Sequence, residues 1–154
     1  MSCGESSTIV GRENQPDARV TPHNDGQSVM KDADLVAAYL AHAETAMRDG
    51  TDAEHFAARE ELDSRVADEP ERAWPVICSI IKRIAQDDIL AYVAAGPLED
   101  LLVQHPHAFI DRVEALAKQD PHFRRAISGV WGSNAMPADV RRRLDELLGD
   151  EPRL

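Results

Sequence analysis

Histidine and carboxylate side chains crowd one stretch of the chain, and these residue types can bind a metal ion. His105, His107, Asp111, Asp120 and His122 lie within 18 residues. His107 and Asp111 are four residues apart, so on a helix they would share one face, as paired metal ligands do. The stretch has no His-Glu-x-x-His motif and no neighbouring cysteine. We therefore interpret His105 as capping a helix end and the other two imidazoles as solvated first-turn residues. A zinc or iron site in a metal-binding protein or hydrolase, built from His105, His107, Asp111 and His122, is the alternative.

Three carboxylates are candidates for acid and base catalysis. They are Glu99, Asp100 and Asp111. Glycosidases use two carboxylates that face each other across a cleft, which is why these residues are considered. Nothing in the sequence puts them in a cleft, and Glu99 and Asp100 already suit the positive end of a helix dipole. Asp111 and Arg112 are interpreted as forming surface salt bridges with neighbouring helices. Cys78 lies among isoleucines, which predicts a buried thiol rather than a nucleophile. The sequence therefore predicts no catalytic residue and no cofactor.

The charge of the chain is strongly negative and unevenly distributed. The formal net charge is −11, and residues 1–68 hold 14 acidic but only six basic residues. Binding to nucleic acids or anionic membranes needs clustered Lys and Arg. The one basic run, Arg141–Arg143, would fan out around a helix. We therefore expect neither nucleic-acid nor membrane binding, and a surface that attracts basic partners.

Targeting and redox features point to one compartment. The first residues lack the apolar segment of a signal peptide, and no apolar run approaches the ~20 residues that span a bilayer. The two cysteines, Cys3 and Cys78, do not form a disulfide framework. A cytoplasmic location is the expectation.

An acidic helix face is the feature that most favours a binding role. It would be built from Glu54, Glu60, Glu61, Asp63, Glu69 and Glu71. We predict a non-catalytic protein–protein interaction module, and one concrete version is an immunity- or inhibitor-type protein that covers a basic toxin or nuclease. Trp131 is expected in the core, although an exposed indole near its loop would be an interaction hot spot. The interaction candidates are Glu60, Glu61, Asp63, Glu99, Asp100, Arg112 and Trp131.

The elements that must position these residues are all predicted to be helices. Aromatic residues make up only 5% of the chain, so the core must be aliphatic, and alanine and leucine favour helices over strands. Residues 1–30 are polar and aperiodic, which predicts a disordered N-terminal arm. Residues 31–149 should form a single helical domain of six to eight short helices, followed by a tail at 150–154. A faint repeat of about 33–36 residues favours stacked, HEAT-like helical hairpins.

Individual helix boundaries follow from capping residues. Asp32 or Asp34 should cap the first helix and Gly50 should end it, and Thr51 or Asp52 should cap the second. The second helix should extend to about Ala67, with its apolar side formed by Phe56, Leu62 and Val66. Helix starts are predicted near prolines 70, 106, 121 and 137, and helix ends at Gly96, in a left-handed C-cap, and at Gly149.

One segment resembles a known group of proteins. Residues 94–131 read AAGPLEDLLVQHPHAFIDRVEALAKQDPHFRRAISGVW, with a Gly-Pro-Leu-Glu-Asp-Leu-Leu corner, a following His and a Gly-Val-Trp close. This pattern is similar to that of a family of uncharacterised bacterial helical domains, and the resemblance extends over residues 69–148. The family has Gly after the His, where this chain has Pro106, so a tighter corner is expected. The resemblance implies a helical fold and carries no catalytic roles.

Overall fold

The structure, a computed structural model, describes residues 29–50 and 56–154 of the chain. Within these ranges every regular element is helical and no strand occurs, which confirms the all-α prediction. The eight α-helices of the described residues are α1 Asp32–Asp49, α2 Phe56–Asp68, α3 Pro70–Arg83, α4 Asp87–Val93, α5 Glu99–Gln104, α6 Pro106–Gln119, α7 Pro121–Ile127 and α8 Ala138–Leu148. The predicted arm lies outside the described residues except at its end, where Met30 packs against the core. The prediction of a cap at Thr51 or Asp52 also lies outside them.

Helix α1 ends as its sequence predicts but begins differently. Gly50 adopts a left-handed conformation with φ of +74°, and its N–H donates to the Ala46 carbonyl at 3.0 Å. The predicted cap by Asp32 or Asp34 is wrong, because Lys31 occupies the cap position and no side chain caps the helix. The Asp32 carboxylate instead binds Arg65 of α2, since a buried guanidinium competes for it more strongly than the backbone.

Helix α2 buries a narrower face than its sequence predicts. Leu62 and Val66 are buried as expected, together with Ala58, but Phe56 is 47% exposed. The prediction that Phe56 lies on the apolar side is therefore wrong. Phe56 comes two positions before the buried Ala58. At 3.6 residues per turn, two positions correspond to about 200° around the helix. Phe56 therefore lies on the outer side of α2.

The segment between α4 and α5 is a bend rather than a helix end. A π-helical turn, Ala94–Leu98, joins the two helices, and the N–H of Glu99 donates back to the carbonyls of Ala94 and Gly96. The prediction of a left-handed cap at Gly96 is wrong, because its φ is −104°. Pro97 disfavours a helical conformation in the residue before it, so Gly96 leaves the helical region while the hydrogen bonding continues around it.

One core unites the described helices. Helix α1 packs on α2, α3 and α4, α2 packs on α5, and α7 joins α3 to α6 and α8. Trp74, only partly buried, packs its ring against Phe109 and Phe123, at centroid distances of 5.7 and 5.9 Å. The predicted tail is bound to α7, since Arg124 pairs with Glu151 at 2.5 Å. None of the described helices has the length and apolarity that a membrane crossing requires.

Candidate functional site

The imidazoles that could have formed a metal site bind separate structural partners. His105 donates to the Val66 carbonyl at 2.7 Å, and His122 donates to the Ile81 carbonyl at 2.9 Å. His107 binds Asp139 at 3.0 Å, and Asp111 pairs with Arg143. The described residues contain no group of three His, Cys, Asp or Glu side chains that could hold a metal ion. The structure therefore does not bring this set together.

Two of these histidines have roles that the sequence analysis missed. His105 occupies the cap position between α5 and α6, as predicted, although its side chain bonds to another helix, whereas the prediction of a solvated His122 is wrong. Each ring instead satisfies a carbonyl oxygen on a neighbouring element, at Val66 of α2 and Ile81 of α3. These bonds connect residues about 40 positions apart, so local sequence patterns contain no signal for them.

Arginines neutralise much of the predicted acidic face. Glu61 binds Arg65 at 2.9 Å and Glu69 binds Arg72 at 2.7 Å. Glu60 is exposed and has no ion pair among the described residues. Glu54 lies outside the described residues.

Arg112 also belongs to this arginine network. It binds both carboxylate oxygens of Glu71, at 2.8 and 3.0 Å, and its guanidinium lies 5.1 Å from the centre of the Phe109 ring. The bidentate pair joins α3 to α6, but both side chains are exposed, so its contribution to stability is small. Arg112 therefore connects helices and leaves little of its charge for a ligand.

Trp131 is on the surface, and the interpretation of this residue as core is wrong. Its side chain is 62% exposed, whereas Val130 before it is buried. The helical stripe does not reach Trp131, because α7 ends at Ile127 and the chain turns there. The backbone N–H of Trp131 donates to the Glu99 carboxylate at 2.8 Å. The indole is thus an exposed apolar group on an anchored backbone.

A cleft of about 210 Å³ lies beside the π-helical bend. Helices α1, α2 and α4 contribute one or two side chains each, and the bend and the first turn of α5 complete the wall. Its lining residues are Tyr39, Arg59, Asp63, Tyr92, Ala95, Gly96, Pro97 and Asp100. The Gly-Pro-Leu-Glu-Asp-Leu-Leu corner therefore forms one side of a cleft that the sequence analysis did not foresee.

Two tyrosines line the cleft, and the ring of His42 contacts both of them. Tyr92 and the buried His42 share a hydrogen bond of 3.0 Å between the hydroxyl and Nε2. The His42 ring packs against the edge of Tyr39, at a centroid distance of 5.7 Å. Tyr39 itself is only 2% exposed, and the position that a Gly96 Cβ would occupy is 3.6 Å from its hydroxyl. A side chain at position 96 would therefore be in van der Waals contact with this hydroxyl.

The cleft carries an excess of negative charge. Asp63 pairs with Arg59 at 3.6 Å, whereas Asp100 has no hydrogen bond or ion pair among the described residues. Burial raises the pKa of Asp100, and the charges of Asp63 and Glu99 raise that pKa further, against an opposing effect of Arg59. Burial also raises the pKa of Tyr39 above its ordinary value, as do Tyr92, Asp63 and Asp100.

Sequence reasoning named Asp63, Glu99 and Asp100 as interaction candidates but missed both tyrosines and Arg59. Tyr39 reads as one member of the apolar stripe of α1, and Tyr92 as an apolar residue of a short helix. The one available signal is that they are the only tyrosines of the chain. Because they are 53 positions apart, their approach depends on how α1 and α4 pack.

Comparisons with known proteins give one match. A model described as a family of unknown function, DUF6869, matches residues 45–150, which is more than half of the chain. The match includes the segment that carries the resemblance noted in the sequence and extends before it. Comparison with curated proteins gives no match, and comparison with solved structures gives none.

Proposed function

Since the chain belongs to DUF6869, a family of unknown function, we propose its function from its own surface: it is a non-catalytic protein–protein interaction domain. The partner is a basic protein. The observation that carries this proposal is the exposed indole of Trp131 on a backbone that Glu99 holds in place. The role that fits is an immunity- or inhibitor-type protein covering a basic toxin or nuclease.

An exposed tryptophan of this kind supports a binding role for energetic reasons. A tryptophan can bury roughly 150–250 Å² of surface, and tryptophan is enriched among the few residues that dominate binding energies at interfaces. The Trp131 backbone is already held by Glu99, so binding would cost less conformational entropy than binding by a residue in a mobile loop. The indole also retains its ring N–H for a hydrogen bond to the partner.

The charge of the molecule supports a basic partner. The net charge of −11 would steer a basic protein toward the domain and repel nucleic acids and anionic membranes. Glu60 and Asp100 have no ion pairs among the described residues, so their charges remain available. A cytoplasmic location belongs to the same proposal, because the cysteine content suits a reducing compartment.

The histidines support a structural rather than a catalytic role for the most reactive side chains. His105 and His122 each donate to a backbone carbonyl on another element, and His42 binds Tyr92. These hydrogen bonds would have to break before the same Nε2 atoms could accept protons from a substrate.

The proposal is tested by affinity capture with purified protein as bait, at 50 mM and 500 mM salt. The wild-type bait should retain a basic protein from the native host at low salt, and the Trp131→Ala bait should lose most of it. Phe56→Ala is the matched control, because Phe56 is also an exposed aromatic residue and lies on another helix. The proposal fails if no basic, salt-sensitive protein is retained, or if both variants behave alike.

A further inference from the structure

The Tyr39 hydroxyl has no hydrogen-bond partner in the part of the chain the structure describes, and Tyr39 lines the cleft. Its side chain is 98% buried, and no hydrogen bond to the hydroxyl occurs among residues 29–50 and 56–154. The charged and phenolic groups that act on this hydroxyl, Tyr92, Asp63, Arg59 and Asp100, all line the cleft. No side-chain oxygen of the described residues is both fully buried and unpartnered, so this hydroxyl keeps some exposure at the cleft, where water or a ligand can bond to it.

The charges in the cleft favour a positively charged ligand. Asp63 and Asp100 line the cleft, and Glu99 is close enough to affect Asp100. Arg59 is the one cation that the described residues contribute to the lining, and its nitrogen lies 3.6 Å from Asp63. The carboxylate of Asp100 is therefore left for a cation from outside the described residues.

The size and chemistry of the cleft favour an organic cation as the ligand. A volume of about 210 Å³ is smaller than the roughly 300–1,000 Å³ of common small-molecule pockets, and it suits one side-chain end group. A guanidinium has five N–H donors in a plane and is weakly hydrated, which suits a half-buried site with several oxygen acceptors. The ring of Tyr92, which is only partly buried, offers an aromatic surface of the kind on which a guanidinium stacks.

We propose that this cleft binds the guanidinium of an arginine side chain. Asp100 accepts its N–H groups, and the Tyr39 hydroxyl supplies a further acceptor. That the arginine belongs to the partner protein rests on the proposed function. Glu99 connects Trp131 with the cleft. It accepts the backbone N–H of Trp131, and it directly precedes Asp100 in α5. One partner could then cover Trp131 and insert an arginine beside it.

The test uses two small probes that differ in charge and share their shape. N-acetyl-argininamide and N-acetyl-citrullinamide are titrated into ¹⁵N-labelled full-length protein while the amide resonances are followed by NMR. The arginine probe should shift the resonances of Tyr39, Gly96 and Asp100 in a saturable way. The citrulline probe, which lacks the positive charge, should bind at least tenfold more weakly. Equal shifts from both probes would overturn the proposal.

Three variants locate the binding site. Asp100→Asn should weaken binding of the arginine probe at least tenfold, and Tyr39→Phe should weaken it several-fold with no loss of thermal stability. Glu60→Gln is the matched control, since it removes one exposed, unpaired carboxylate of α2 outside the cleft. An equal loss of affinity in Glu60→Gln and Asp100→Asn would show that only overall charge matters, and would contradict the proposal.

The outcome for the cleft is separable from the outcome for the proposed function. If argininamide binds the cleft but the wild-type bait retains no basic protein, the cleft proposal stands and the proposed function fails. If a partner is retained through Trp131 while the two probes bind alike, the proposed function stands and the cleft proposal fails.

Discussion

The carboxylate of Glu99 accepts the backbone N–H of Trp131 at 2.8 Å, and this bond joins the start of α5 to the segment after α7. Gly132 lies directly against the same carboxylate. A Cβ built at Gly132 would be 2.3 Å from Glu99 Oε1, so any side chain there would displace it. The exposed indole therefore depends on a carboxylate at one position and on the absence of a side chain at another.

Loss of this hydrogen bond should release the Trp131 backbone. We expect Glu99→Ala to lower the free energy of unfolding by about 1–2 kcal/mol, since it removes a hydrogen bond to a charged acceptor. Gly132→Ala should produce the same local change by pushing the carboxylate aside. Amide hydrogen exchange at Trp131 should become faster in both variants and stay unchanged in Glu60→Gln. Unchanged exchange in Gly132→Ala would show that the carboxylate can move and still keep its bond.

Replacement of the buried Arg65 should destabilise the fold strongly. Arg65 is 2% exposed, and it binds Asp32 at 2.6 Å, Glu61 at 2.9 Å and the Met30 carbonyl. Arg65→Ala removes these bonds and leaves a void beside α2, while Asp32 and Glu61 remain in contact with water, so we expect a loss of about 2 kcal/mol in denaturant unfolding.

Arg72→Ala is the matched control for Arg65. Arg72 pairs with Glu69 on the surface of α3, and exposed pairs contribute little to stability because water screens them. The control variant should therefore unfold at nearly the same denaturant concentration as the wild-type chain. Similar losses in both variants would contradict the role assigned to the buried guanidinium.

The Cys78 thiol should be unreactive in the folded protein. Burial, together with the charge of Asp120, raises the pKa of Cys78 to about 12. The thiolate, which is the reactive form, is then rare at pH 8. In a Cys3→Ser variant, where Cys78 is the one remaining thiol, labelling by a disulfide reagent should be at least about 100-fold slower than in 6 M guanidinium. Equal rates would place the thiol at the surface.

The same thiol should make stability fall in alkali. Its folded-state pKa is above the ordinary value of 9.0, so the stabilisation is complete below that value and is lost as the pH rises toward 12. Cys78→Ala should flatten this part of the profile, measured as the unfolding midpoint between pH 8 and pH 11. A profile that is equally steep in the variant would assign the alkaline loss to other groups, of which Tyr39 is the first candidate.

Asp100→Asn should stabilise the folded protein at neutral pH. Burial raises the pKa of Asp100, and so do Asp63 and Glu99, while Arg59 opposes them and the Tyr39 and Tyr92 hydroxyls face the same cleft. The ionised form is therefore disfavoured on folding. The contribution of this group to stability is complete below its ordinary pKa of 3.8 and is lost as the pH rises through the raised folded-state value.

Asp100→Asn should show this pH dependence of stability directly. Its melting temperature should exceed that of the wild-type chain at pH 7, and the difference should shrink as the pH is lowered toward 4. Glu60→Gln, measured in parallel, should show little change at either pH, since Glu60 is exposed. A lower melting temperature for Asp100→Asn at pH 7 would mean that the carboxylate is stabilised by contacts that the structure does not contain.

The sequence by itself determined the helices and most of their ends. Apolar residues recur with the helical period, and glycines and prolines interrupt that pattern at positions that agree with the observed boundaries, such as Gly50 and Pro106. These features follow from hydrogen bonds and conformational preferences within a few residues. The family match to residues 45–150 confirms the resemblance noted in the same segment.

The tertiary structure alone decided which side chains meet. Tyr39, Asp63 and Asp100 share a cleft because α1, α2 and the bend before α5 pack together, although they belong to three separate helices. The exposure of Trp131 depends on where α7 ends relative to α5, and the dispersal of the histidines depends on which carbonyls lie opposite them. Each of these outcomes is a matter of how helix faces pack across long distances in sequence, and the periodicity of a single helix carries no information about it.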